Sequence, residues 1–139
     1  MTKLFEITDQ VISVDEVSAR LGDPGIGAVA IFVGVVRGLT DGRETLYLEY
    51  EAYPEMAERT LAQIGREVQV RWPEIRQVTV VHRTGHLDVG EIAVVIALCA
   101  AHRRQVFDAL HYAIDRVKEI VPIWKKEFTA CGTEWKSEV

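Results

Sequence analysis

The chain has 139 residues, 48% hydrophobic and 27% charged, the mixture of one globular domain with enough apolar material for a core. Its formal net charge of −5 argues against a general nucleic-acid binder, because phosphate backbones select basic surfaces. Its longest apolar stretches, such as 92–101, are strand-length, and the N-terminal MTKLFEITDQ has no signal-like core, so no membrane span is expected and a cytoplasmic protein is.

Residues 3–12 alternate roughly and read as a first strand. Ser13 followed by Glu16 forms a capping box, with the hydroxyl and the carboxylate each taking an orphan N–H, and opens a short helix over 14–21. A loop rich in Gly and Pro follows. Residues 28–36 are a continuous Val/Ile-rich run, the pattern of a strand covered on both faces. Residues 37–44, with Gly38 and Asp41-Gly42, read as a flexible loop. Residues 45–53 alternate Leu46, Leu48, Tyr50 and Ala52 against Tyr47, Glu49, Glu51 and Tyr53, as a half-buried strand does. Pro54 suits a first helical position, and Ala57, Leu61, Ile64 and Val68 recur at helical spacing until Trp72-Pro73.

Residues 78–84 and 92–101 are strands joined by a turn around Asp88-Val89-Gly90. A long helix over 103–121 carries the apolar stripe Val106, Leu110, Ala113, Val117 and Ile120, and Pro122 stops it. Residues 123–129 are extended, and 130–133 turn back toward 134–136. The expected fold is α+β: helices packed on a mixed or antiparallel sheet, with a small C-terminal extended hairpin, as a single domain over 1–139.

Chemistry has few places to sit. His102, Arg103 and Arg104 crowd the start of the long helix, where unpaired N–H groups attract anions but cations cost the helix roughly 0.3–1 kcal/mol each. Either the arginines are kept for a ligand or they face solvent. Lys118 by spacing is an ordinary solvated lysine that can pair with Asp115. Alternation sends Lys125 to the face opposite Trp124 and Lys126, so a strand folding back beside the helix lets Lys118 and Lys125 converge. Arg37 leaves a buried strand, where sites are common. The histidines lack metal-ligand spacing, and Cys99 and Cys131 form no CxxC, which argues against zinc and disulfides. Physical reading alone reaches an anion pocket of Arg37, His102, Arg103, Lys118 and Lys125.

Those residues sit inside segments that resemble the family of molybdopterin synthase large subunits. The segments are Phe32-Val33-Gly34-Val35-Val36-Arg37, Leu48-Glu49-Tyr50-Glu51-Ala52-Tyr53 with Met56-Ala57, Val81-His82-Arg83-Thr84-Gly85, Ala101-His102-Arg103, and Lys118 leading into Pro122-Ile123-Trp124-Lys125-Lys126-Glu127. Their order matches the family's over about 28–135. The resemblance implies an α/β hammerhead-type fold and a homodimer with a small ubiquitin-like sulfur-carrier subunit at each end, a heterotetramer. The carrier's C-terminal Gly-Gly thiocarboxylate would sulfurate cyclic pyranopterin monophosphate in two steps to the dithiolene of molybdopterin, with no metal or cofactor. By position, Lys118 and Lys125 match active-site lysines, Arg37, His102 and Arg103 pocket residues, and Phe32 a wall residue.

Two other functions fit parts of the sequence. One is a regulatory module binding a small anionic metabolite in the same basic pocket. The other is a sulfurtransferase carrying persulfide on Cys131.

Overall fold

The structure, a computed structural model, describes residues 2–130 and 132–136. In chain order the elements are β1 (Phe5–Thr8), α1 (Val14–Ser18), β2 (Ala28–Val35), β3 (Leu39–Thr40), β4 (Arg43–Ala52), α2 (Pro54–Arg71), β5 (Ile75–Arg83), β6 (Gly85–Asp88) and β7 (Ile92–Ala100). A 3₁₀ turn at Arg103–Gln105 then leads into α3 (Val106–Ile120), β8 (Ile123–Thr129) and β9 (Gly132–Lys136). The α+β expectation holds, with helices on a mixed sheet. No helix among the described residues is long and apolar enough to cross a membrane.

The first sheet has four strands in the order β1-β5-β7-β2, with only β1 and β5 parallel. Its core strand β7 is buried almost throughout, which explains its unbroken apolar run. One face carries α2 and α3. On α2 the stripe Ala57, Leu61, Ile64 and Val68 is fully buried, each large side chain contributing about 1.5–3 kcal/mol. On α3 the buried stripe is Val106, Ala109, Ala113 and Val117. Leu110 and Ile120, expected within it, lie half-buried at its flank, and the small Ala109 takes the inner place.

The other face is covered in part by α1, whose Val17 packs with Ile12, Val81 and Val95. Ser13 caps α1 by accepting from the Glu16 N–H at 3.2 Å. The second half of the expected capping box is absent: the Glu16 carboxylate instead takes two bonds from the Arg20 guanidinium. Because α1 is short and lies over β5 and β7, it leaves β2 bare on this side. Val29, Ile31 and Val35 are exposed, so β2 is a sheet edge and not the doubly covered strand its composition suggests.

The second sheet is built around β4, which pairs with β8 along one side and with β3 and β6 along the other. Two of these strands correct the sequence reading. The segment 37–44 is not a loop, because Asp41 and Gly42 both take positive φ and close β3 onto β4 as a tight hairpin. Between β5 and β7, Gly85 turns the chain at φ +91° so that β6 leaves the first sheet and joins β4 in the second. The register of β4 against β8 shifts between Thr45 and Tyr47, a bulge that buries Thr45 and turns Leu46 outward, against the simple alternation expected.

His82 lies wholly buried on β5, edge-on to the Tyr50 ring at 5.0 Å. Its Nδ1 is 2.8 Å from the Arg83 carbonyl, to which it donates, leaving Nε2 without a partner among the described residues. Burial pulls its pKa from 6.5 to about 4, so it is neutral in the fold. The unfolded chain binds the extra proton between those values, and stability is lost as pH falls through that window. Replacing His82→Phe should therefore remove about 2–3 kcal/mol of the stability difference between pH 7 and pH 4.5, read from denaturant midpoints. Parallel pH curves for the two proteins would refute this. The Glu67 carboxyl, held down to about 2 chiefly by Arg116, acts with the same sign but at lower pH.

Candidate functional site

A pocket of about 810 Å³ lies between the end of β2, the β3–β4 hairpin, the last turns of α3 and the inner face of the second sheet. Phe32 and Arg37 enter it from β2 and its exit, where backbone bonds from the Val36 N–H to Glu91 O (3.0 Å) and from the Gly90 N–H to Val36 O (2.9 Å) fix the chain. Lys118 enters from the last turn of α3, where a cation favours the helix dipole. Pro122 ends α3 and turns the chain into β8, which brings Lys125 to the same pocket. The convergence of Lys118 and Lys125 that the spacing allowed is thus formed.

Three cations line the pocket, Arg37, Lys118 and Lys125, against two carboxylates, Asp41 and Glu127. Arg37 and Lys118 make no ion pair or hydrogen bond among the described residues. Asp115, a possible partner for Lys118, faces His111 at 3.3 Å. Glu127 is buried and accepts from the Thr45 hydroxyl at 2.8 Å. Arg37 and Lys118, without an ion-pair partner among the described residues in a concave site, are suited to an anionic ligand.

His102 and Arg103 are elsewhere. They line a second, more open hollow of about 630 Å³ with Gly27, Ala101, Arg104 and Phe107. This hollow sits at the start of β2, whereas Arg37 sits at its end, because Ala28 pairs with Ala100 and Val35 with Ile92. An eight-residue strand puts the two ends roughly 25 Å apart. The single pocket expected from sequence is therefore not formed within one chain. The helix also starts later than expected, at Val106 after the 3₁₀ turn, so His102 and both arginines are exposed ahead of it and not on its first turn.

Tyr50, Thr45 and Glu127 belong to the first pocket and Phe107 to the second, although sequence reading singled out none of them. Strand parity could have found Tyr50, which pairs directly with Lys125 across β4 and β8. Cys99 is buried, and desolvation raises its thiol pKa, while Cys131 lies outside the described residues. Among the described residues no group of three or more His, Cys, Asp or Glu could hold a metal ion.

With this geometry in place, comparison with known proteins decides the family. The sequence pattern of the MoaE protein family matches residues 7–120. The chain belongs to the MoaE family. Among its relatives, this MoaE chain is 52% identical to the molybdopterin synthase catalytic subunit of Halalkalibacterium halodurans, over 96% of the chain and 85% of that protein. It is 46% identical to the molybdopterin synthase catalytic subunit of Bacillus subtilis, over 94% and 83%. The crystal structure of molybdopterin synthase from Staphylococcus aureus superposes on the MoaE chain with a TM-score of 0.92 at 46% identity, covering 98% of each.

Proposed function

We propose that the chain is the catalytic subunit of a molybdopterin synthase. It transfers sulfur from the C-terminal Gly-Gly thiocarboxylate of a small ubiquitin-like carrier subunit to cyclic pyranopterin monophosphate, building the dithiolene of molybdopterin. The observation that carries this reading is the meeting of Lys118, Lys125 and Arg37 in one pocket of a chain about half identical to catalytic subunits of that enzyme. Both reactants are anionic, so the site must supply fixed positive charge. Phe32 forms a wall. Arg37 holds substrate, and Lys118 acts at the reacting carbon in proton transfer or transient capture. Lys125 steadies the carrier's terminal carbonyl. The reaction needs no metal or cofactor, and it takes place in the cytoplasm in a single domain spanning 1–139.

His102 and Arg103 join this site through a homodimer, which with one carrier at each end makes a heterotetramer. Three features of the chain support this. The outer edge of β2 pairs with no strand among the described residues. Val29, Ile31 and Val35 beside that edge are exposed. Finally, pairing two β2 edges antiparallel about a two-fold axis near Ile31 lays the start of one strand beside the end of the other. The hollow with His102 and Arg103 then abuts the partner's pocket, adding cations for the substrate phosphate.

The direct test combines the purified chain, a carrier ending in the thiocarboxylate and cyclic pyranopterin monophosphate. Product should appear only when all three are present, measured by fluorescence of the oxidised pterin. Bound but unconverted substrate would point to a metabolite-binding module.

A further inference from the structure

Tyr50 occupies a position that packing alone does not explain. It is 5% exposed on β4, yet it lines the lysine pocket. Its hydroxyl makes no hydrogen bond among the described residues. Unlike the enclosed and unpaired His82 Nε2 and Arg83 Nε, it keeps some exposure and opens to the pocket. A phenylalanine would pack against His82 equally well without a hydroxyl to desolvate. On one side Tyr50 pairs directly with Lys125 of β8, and such neighbours have Cβ atoms about 4.5–5.5 Å apart. On the other side it pairs with Gly85, which has no side chain to cover it. Burial, with the charge of Glu127, pushes its pKa up to about 12, so it remains a neutral donor at any working pH.

Resting on the synthase reading, we propose that Tyr50 is a further catalytic residue: with Lys125 it donates to the oxygen that becomes negative when the carrier's acyl carbon is attacked. The chemistry requires such a moment. Once the thiocarboxylate sulfur has bonded to substrate carbon, breaking a carbon–oxygen bond there whose electron pair stays on the oxygen, the carrier is held as an S-acyl adduct. Water must then add to the acyl carbon, placing the carbonyl electron pair on oxygen. Collapse reforms the carbonyl and breaks the acyl carbon–sulfur bond. The sulfur leaves with that electron pair and stays on the substrate as thiolate. The carrier departs as carboxylate, and the two protons of the water go to solvent. No oxidant or reductant enters. A rigid O–H beside an ammonium, held by His82 behind its ring, matches what the developing oxyanion needs.

The test is Tyr50→Phe in the complete system of chain, thiocarboxylated carrier and cyclic pyranopterin monophosphate, beside wild type. The expected kcat falls about 100-fold with KM for the substrate nearly unchanged, as for loss of one oxyanion donor. Rapid quenching and mass spectrometry should show the carrier–substrate adduct rising relative to product. That ratio does not depend on how much of the variant is folded. Product from wild type with turnover of the variant within about twofold, and no adduct, overturns the role of Tyr50 alone. Absence of product from both proteins, with the carrier shown to bind, overturns the synthase reading with it.

Discussion

Lys118→Ala is expected to lower sulfur transfer by about 10²–10⁴-fold while leaving the fold intact. Lys118 is exposed in the last turn of α3 and contributes nothing to the helix's buried stripe. Losing it costs the fold only a dipole contact of about 0.3–1 kcal/mol. Its amine has no ion pair among the described residues, so its removal leaves no carboxylate stranded. A large kinetic effect would therefore report on the chemistry. Lys118→Arg separates action at the reacting carbon from simple attraction of an anion. Guanidinium keeps the positive charge but acts neither as nucleophile nor as proton shuttle near neutral pH. If Lys118 only attracts the anionic substrate, arginine should restore most of the rate. If it works at the reacting carbon, Lys118→Arg should stay within about tenfold of Lys118→Ala. Single-turnover rates with preformed carrier thiocarboxylate measure this, and a near-normal rate for Lys118→Ala removes it from the mechanism.

The parts of this fold that were legible in sequence are those in which local chemistry and burial agree. Pro54 and the stripe from Ala57 to Val68 placed α2, because a Pro-initiated amphipathic helix has one face to bury and buries it. The Ser13 hydroxyl capped α1 as its spacing implied. The strands that were missed, β3 and β6, are two and four residues long and have no apolar period of their own. Their hydrogen bonds come from β4, a partner that only the tertiary fold supplies. The segment that forms β2 was read as covered on both faces because Val and Ile fill it. Composition does not say how far a short helix such as α1 extends across a sheet, nor which strand lies at the edge.

The site was legible one residue at a time but not as a set. Phe32, Arg37, Lys118 and Lys125 meet in one pocket, while His102 and Arg103 do not join them. Here the sequence did hold the missing constraint. A helix between His102 and Lys118 is a rod rising 1.5 Å per residue, and the 15 residues of α3 make it about 22 Å long. Residues at its two ends cannot share one small pocket within a chain. That rigid separation is the reason the proposed site draws on two chains.

Mixing two inactive variants should restore activity if the site is shared across a dimer. The first variant is Lys118→Ala, and the second is the double variant His102→Ala/Arg103→Ala. The double variant alone should lose about 10²–10⁴-fold, since each of the two charged hydrogen bonds to a phosphate contributes about 1.5–3 kcal/mol. When the two are co-refolded in equal amounts, random pairing makes half of the dimers mixed. In each mixed dimer one site collects every defect, while the other receives an intact Lys118 and an intact His102-Arg103 pair. Recovered activity should therefore reach about a quarter of wild type. If each chain instead builds its site alone, every site in the mixture stays defective and nothing is recovered. Placing Ile31→Glu in both variants adds the control. Ile31 is exposed beside the free edge of β2, so a charge there spares the core but opposes edge pairing. Recovery should vanish, and light scattering should report monomers. Recovery that survives Ile31→Glu would keep the shared site and move the dimer contact away from β2, whereas recovery lost together with the dimer ties the chemistry of His102 and Arg103 to that edge.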